Sequence, residues 1–239
     1  MSASKDQIIQ KIVSKGYWKV QIRPNEYKEK RIEVKEIENI AIPSVISLRG
    51  WDFPHYRDRN GGPYITKDGI EKITDIGQYV EYWTMTSSAN FIYLGALKED
   101  LIDNTNIVDN IMREYGQKYD RWLEVINTLY RITEIYEYAK RLALKLNIGG
   151  QIVIEIELSD IENRILWFTS FDRISFSVPM ISREKKWTYK DIVNESDLIG
   201  RSDEYAFKAF EKLMLLFQWK SIPIDSYRND QQKLLQGKL

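Results

Sequence analysis

The chain has 239 residues, 43% hydrophobic and 29% charged, which leaves room for one large domain or two small ones at roughly 150 residues each and excludes wholesale disorder or a fibrous repeat. With no cysteine, disulfide frameworks, thiolate zinc sites and cysteine nucleophiles all drop out. Lys plus Arg and Asp plus Glu balance at 35 each, so bulk charge points neither to nucleic acid nor to a membrane. Residues 1–6 do not resemble a signal peptide, and no apolar run approaches the roughly 18 residues of a membrane span. A cytoplasmic protein with no membrane partner is expected.

The chain shows no repeat at periods of 20 to 50 residues and no low-complexity linker, and it reads as a single domain over 1–239. An opening helix over about 4–15 is signalled by a Ser4 cap with Gln7 in the capping-box position, followed by Ile8, Ile9, Ile12 and Val13, with Gly16 as the stop. Residues 17–23 read as a strand. The stretch 24–39 is ambiguous between a helix and an extended arm, and 40–49 reads as a short strand interrupted at Pro43. Two aromatic and β-branched runs, 79–86 and 90–97, have hairpin spacing. Within 79–86, Tyr79, Glu81, Trp83 and Met85 share one face and Val80, Tyr82, Thr84 and Thr86 the other, with the long helix that follows as the expected cover. That helix spans about 118–146, where Trp122, Ile126, Leu129, Tyr136 and Ala143 repeat at helical spacing. Gly149 and Gly150 are its expected stop. Strands follow at 151–158, at 163–168 and, more loosely, at 174–179. A helical tail over about 202–236 starts at a Ser202 cap and ends in a shorter helix at 225–236. Runs of neighbouring strands with helices gathered elsewhere predict an α+β fold, a mainly antiparallel sheet packed against a long central helix and C-terminal helices.

One histidine, His55, serves the whole chain. Catalytic zinc sites draw on two or three imidazoles, and the Gly-x-Ser-x-Gly elbow, the P-loop and the kinase signatures are missing. No cofactor and no metal is expected. Glu155 and Glu157 share a strand face and could hold a metal together, but alternate glutamates also mark the wet side of a half-buried strand, no lysine is expected beside them, and no isolated upstream aspartate completes a nuclease constellation.

Residues 47–64 stand out. They place three arginines, the histidine and four aromatics in a loop-rich stretch bounded by Gly50 and by Gly61, Gly62 and Pro63. Arg49 could be a structural arginine paired with Asp52 or with a carboxylate of the long helix, leaving Trp51 and Phe53 as core anchors. The alternative turns the same chemistry outward: Arg49, Arg57 and Arg59 on phosphates, with Trp51, His55 and Tyr56 stacking on bases. These six residues are the candidate nucleic-acid or ligand site.

The block Ser47-Leu-Arg-Gly-Trp-Asp-Phe-Pro-His55, taken with the aromatic hairpin, the long helix and Leu215-Leu-Phe-Gln-Trp219, resembles the signature of a poorly characterised group of prokaryotic proteins. The likeness covers roughly residues 17–236. It implies a domain found alone or joined to nucleic-acid-associated or ATP-binding modules, associated with antiviral defence or mobile elements, and it brings no catalytic residue. The expected function is a non-catalytic binding module of a prokaryotic assembly that recognises nucleic acid, a nucleotide or a protein partner. An enzyme using the loop at 49–64 on a phosphorylated or nucleic-acid substrate, with His55 as acid or base, stays open. So does a scaffold or homo-oligomer subunit whose aromatic surfaces are interfaces.

Overall fold

The structure, a computed structural model, describes residues 4–57, 61–103, 105–170, 173 and 175–238. Helix α1 (Lys5–Val13) starts at the capping box: Gln7 N–H donates to Ser4 Oγ at 3.3 Å and Ser4 N–H to Gln7 Oε1 at 2.8 Å. Strand β1 (Tyr17–Pro24) follows. The expected strand at 40–49 is instead a helix, α2 (Ile37–Ser44), in which Ile37, Ala41 and Ser44 recur at helical steps and are buried. Pro43 stands in the last turn, so the break that its missing N–H and its ring impose falls at the end of the helix. Only Ile46 keeps extended character, as an isolated antiparallel bridge to Phe53.

Strands β2 (Tyr64–Ile65), β3 (Gly69–Ile76), β4 (Tyr79–Thr86) and β5 (Phe91–Ala96) come next. Helix α3 (Thr105–Tyr115), which sequence reading missed, leads to the short β6 (Trp122–Glu124). The long helix α4 (Val125–Leu146) therefore begins seven residues later than expected. Glu124 is its N-cap, the side chain accepting from Asn127 N–H, while Trp122 to Glu124 pair in parallel with β8 (Ile165–Trp167). Asn147, in the left-handed conformation at φ 46°, ends the helix ahead of the two glycines. After β7 (Gln151–Ser159) and β8, an unanticipated strand β9 (Lys186–Asn194) forms. The looser strand at 174–179 is absent from described residues 175–179, and Ile174 lies outside the description. Helix α5 (Glu195–Leu216) starts ahead of Ser202, which sits beside a kink at Arg201 and donates to Glu137 rather than capping. Helix α6 (Ile224–Leu235) closes the chain.

The seven-stranded sheet is antiparallel throughout, in the order β2-β3-β4-β5-β1-β7-β9. With the flanking helices it makes an α+β fold. One sheet face carries the main core against α4, where Tyr138 meets Phe91 at 4.7 Å, and α5 packs on α4 in turn. Leu129, Tyr136 and Ala143 are buried in this core, whereas Trp122 belongs to a satellite cluster with Ile111, Ile165 and Trp167. The other face of β4 is covered by α1 and not by the long helix: Ile8 and Ile12 pack on Val80 and Tyr82. Period-two alternation thus gives β4 two buried faces with different covers. Among the described residues no helix is long and apolar enough to cross a membrane.

Candidate functional site

The loop after α2 is folded back by the Ile46 and Phe53 bridge, whose two backbone bonds measure 2.9 and 2.7 Å. Gly50 takes φ 75° at the turn, a conformation that costs glycine little. This closure aims Arg49 and Trp51 at the space between the sheet and the N-terminal half of α4. Arg49 grips Glu134 of α4 with Nε and Nη2 at 2.9 and 2.7 Å and donates from Nη1 to Asn127 Oδ1 at 3.0 Å. Of its two expected carboxylate partners, the helix residue is the one engaged.

Trp51 donates its indole N–H to Glu81 Oε1 at 2.9 Å. Its ring is parallel to His55 at 4.0 Å and to Tyr79 at 3.7 Å. Two rings that close to one centroid must lie on opposite faces, so a base could stack on Trp51 only by displacing His55 or Tyr79. Lys98 Nζ lies over the Tyr79 ring at 5.6 Å, within cation–π range. Within this stack, His55 is buried and its carbonyl accepts from Trp83 Nε1 at 2.8 Å. Tyr56 is buried too, with the exposed Arg57 guanidinium 5.8 Å from its ring. Arg59 lies outside the described residues. Of the six candidates, Arg49 and Trp51 therefore line a common space, His55 stacks on Trp51, Tyr56 is buried, and Arg57 faces solvent.

That space is a cavity of about 190 Å³ walled by Trp51, Tyr79, Tyr93, Glu81, Glu99 and Arg131, with Arg49 and Asn127 on its rim. Its carboxyls come from a polar interior that sequence reading missed. Glu81 is 3% exposed, and its Oε2 makes no hydrogen bond of ordinary geometry, although the His55 N–H and the Tyr93 hydroxyl lie close enough to act on the carboxyl. Burial pushes its carboxyl up, against the Arg131 guanidinium and the Trp51 N–H, which favour the charged form. Glu99 is likewise buried and pushed up by desolvation, with Oε1 accepting from the Glu124 N–H at 3.2 Å. Glu124 is pushed up to about 7, chiefly by burial. The available signal was Glu81 itself, a carboxylate in the middle of the Trp83 and Met85 face of β4.

Arg49 and Asn127 also border a second, more open hollow of about 700 Å³, lined by Glu124, Tyr130, Arg173, Asp230, Lys233 and Lys238 among others. Arg173 pairs with Asp230 at 2.6 Å. Elsewhere, Glu155 and Glu157 lie on the sheet face away from α4 and pair with Lys190 and Lys186 at 3.7 and 3.2 Å. The expectation that no lysine sits beside them fails, because β9, missed in the sequence, brings both lysines alongside. Among the described residues no three His, Asp or Glu side chains group as metal ligands. No family model, curated protein or solved structure matches this chain.

Proposed function

We propose that the chain is a non-catalytic binding module, working in the cytoplasm within a larger prokaryotic assembly, that takes one base-sized polar ring into the cavity beside Trp51. The observation that carries this reading is Glu81, a buried carboxyl held on one oxygen by Trp51 and without a hydrogen bond of ordinary geometry on the other. A buried acceptor whose hydrogen bond is left unmade costs about 1–3 kcal/mol, and an N–H of a bound ring recovers that cost. Size narrows the class. At about 190 Å³ the cavity is smaller than the roughly 300–1,000 Å³ of drug-sized sites, which suits one ring system and not a run of stacked bases. Arg131 supplies donors beside the Glu81 acceptor, and nucleobases carry acceptors and donors together on one edge. The likeness of the 47–55 block to prokaryotic defence-associated proteins and the cysteine-free composition support the cellular setting.

Isothermal titration with the four common ribonucleosides tests the reading. One of them is expected to bind with a stoichiometry of one per chain. Glu81→Gln, which keeps an oxygen for Trp51 but turns the free position into a donor, is expected to weaken that binding at least tenfold. Failure of all four nucleosides and their 5′-monophosphates to bind would overturn it.

A further inference from the structure

We infer that the occupant is a nucleotide whose base enters the Trp51 cavity while its phosphate sits in the adjoining hollow between α4 and α6; this rests on the cavity reading above. The two hollows share Arg49 and Asn127 as lining residues. Their mutual hydrogen bond of 3.0 Å forms a sill between an inner, aromatic and carboxyl-lined chamber and an outer, basic one. A ligand filling both is therefore amphoteric along its length, polar ring at one end and anion at the other.

The charges of the outer hollow can be counted. Arg173 is balanced by Asp230, and Arg49 by Glu134 behind the sill. Glu124 sits in a buried wall. What remains are Lys233 and Lys238, two cations at the C-terminal end of α6 that form no side-chain ion pair among the described residues. A phosphomonoester carries about −1.5 to −2 near neutral pH, which matches that surplus. A carboxylate would leave one cation uncompensated, and a neutral sugar both. The inner chamber has no such surplus, because Arg131 and Lys98 stand there against the carboxyls of Glu81 and Glu99, and Glu81 Oε2 offers an acceptor to an N–H group. The order is thus fixed: base inward, phosphate outward.

The test compares each ribonucleoside with its 5′-monophosphate by isothermal titration, on the full chain and on the double variant Lys233→Gln with Lys238→Gln. Both lysines are exposed, so the variant should keep its fold, which its melting temperature checks. For the base that binds, the monophosphate should bind at least tenfold tighter than the nucleoside at low salt. That advantage should shrink as salt screens the lysines. In the double variant the monophosphate should fall to the nucleoside's affinity, with nucleoside binding unchanged. Equal affinity of nucleoside and monophosphate in the parent chain overturns the inference but leaves the cavity reading standing. So does an advantage that survives in the double variant. Absence of binding by every nucleoside and monophosphate removes the cavity reading and this inference together.

Discussion

Arg49 and Glu134, 85 residues apart in sequence, form a two-pronged ion pair in which Nε and Nη2 meet the two carboxylate oxygens at 2.9 and 2.7 Å. Glu134 is 1% exposed, so this pair ties the loop after α2 to the long helix from inside. Breaking a buried pair by removing one partner strands the other charge. Arg131, 3.6 Å from Glu134, softens the loss. Arg49→Met is expected to cost about 2–4 kcal/mol in urea unfolding, and adding Glu134→Leu should restore only part of it, because Arg131 then loses a partner. A single variant as stable as the parent would mean the pair behaves like a surface contact.

Tyr93 owes its position in the cavity wall to Gly95, its neighbour two residues on. Both lie on the core face of β5, and a Cβ at Gly95 would fall inside contact distance of the Tyr93 hydroxyl and ring. Gly95→Ala is expected to push the phenol out of place, costing about 1–3 kcal/mol as overpacking does, and to weaken nucleoside binding. Pairing it with Tyr93→Phe should relieve only part of the strain, because ring carbons are crowded as well. Thermal melting of the three variants checks the order.

How much of this was legible in the sequence varied with the physics of each element. The capping box at Ser4, the alternation of β7 and the hairpin of β4 and β5 depend on neighbours in sequence, and each appears where expected. The start of α4 did not, because helical spacing runs through Trp122 while long-range pairing with β8 claims that residue for a strand. Strand β9 was missed since its solvent face, Lys186, Thr188, Lys190 and Ile192, dilutes the apolar alternation at a sheet edge. At the candidate site, the loop block drew attention to Arg49 and Trp51, both of which line the cavity. Glu81, Glu99, Glu124 and Arg131 gave little warning, since a charged residue in a strand or helix reads as solvated until burial is known.

Glu124 gives the fold a pH dependence whose sign is fixed. Its carboxyl has an ordinary value of 4.5 and is pushed up to about 7 in the fold, so the native state holds a proton that the unfolded chain has released. Its contribution to stability is fully present below about 4.5 and is lost as pH rises through about 7. The loss amounts to about 3–4 kcal/mol at most, because each tenfold difference in proton affinity between the folded and unfolded chain is worth about 1.4 kcal/mol. Glu81 and Glu99 act in the same direction, so the comparison needs a variant. Glu124→Gln, which keeps an oxygen to cap Asn127, should show a flatter stability profile between about pH 4.5 and 7 in urea titrations. An unchanged slope would place the proton elsewhere.

The indole N–H resonances of the tryptophans offer the most direct test of the cavity as a binding site. Trp51 donates to Glu81, the residue on which ligand recognition turns, and Trp18 also lines the cavity, whereas Trp187 and Trp219 lie outside its lining. With the Trp51 signal assigned through Trp51→Phe, a two-dimensional nitrogen-proton spectrum is recorded while a nucleoside or its monophosphate is added. The expected result is a saturable shift of the Trp51 and Trp18 indole signals with those of Trp187 and Trp219 unmoved, and loss of the response in Glu81→Gln. Saturating addition of every nucleoside and monophosphate that leaves the Trp51 signal in place would contradict the account.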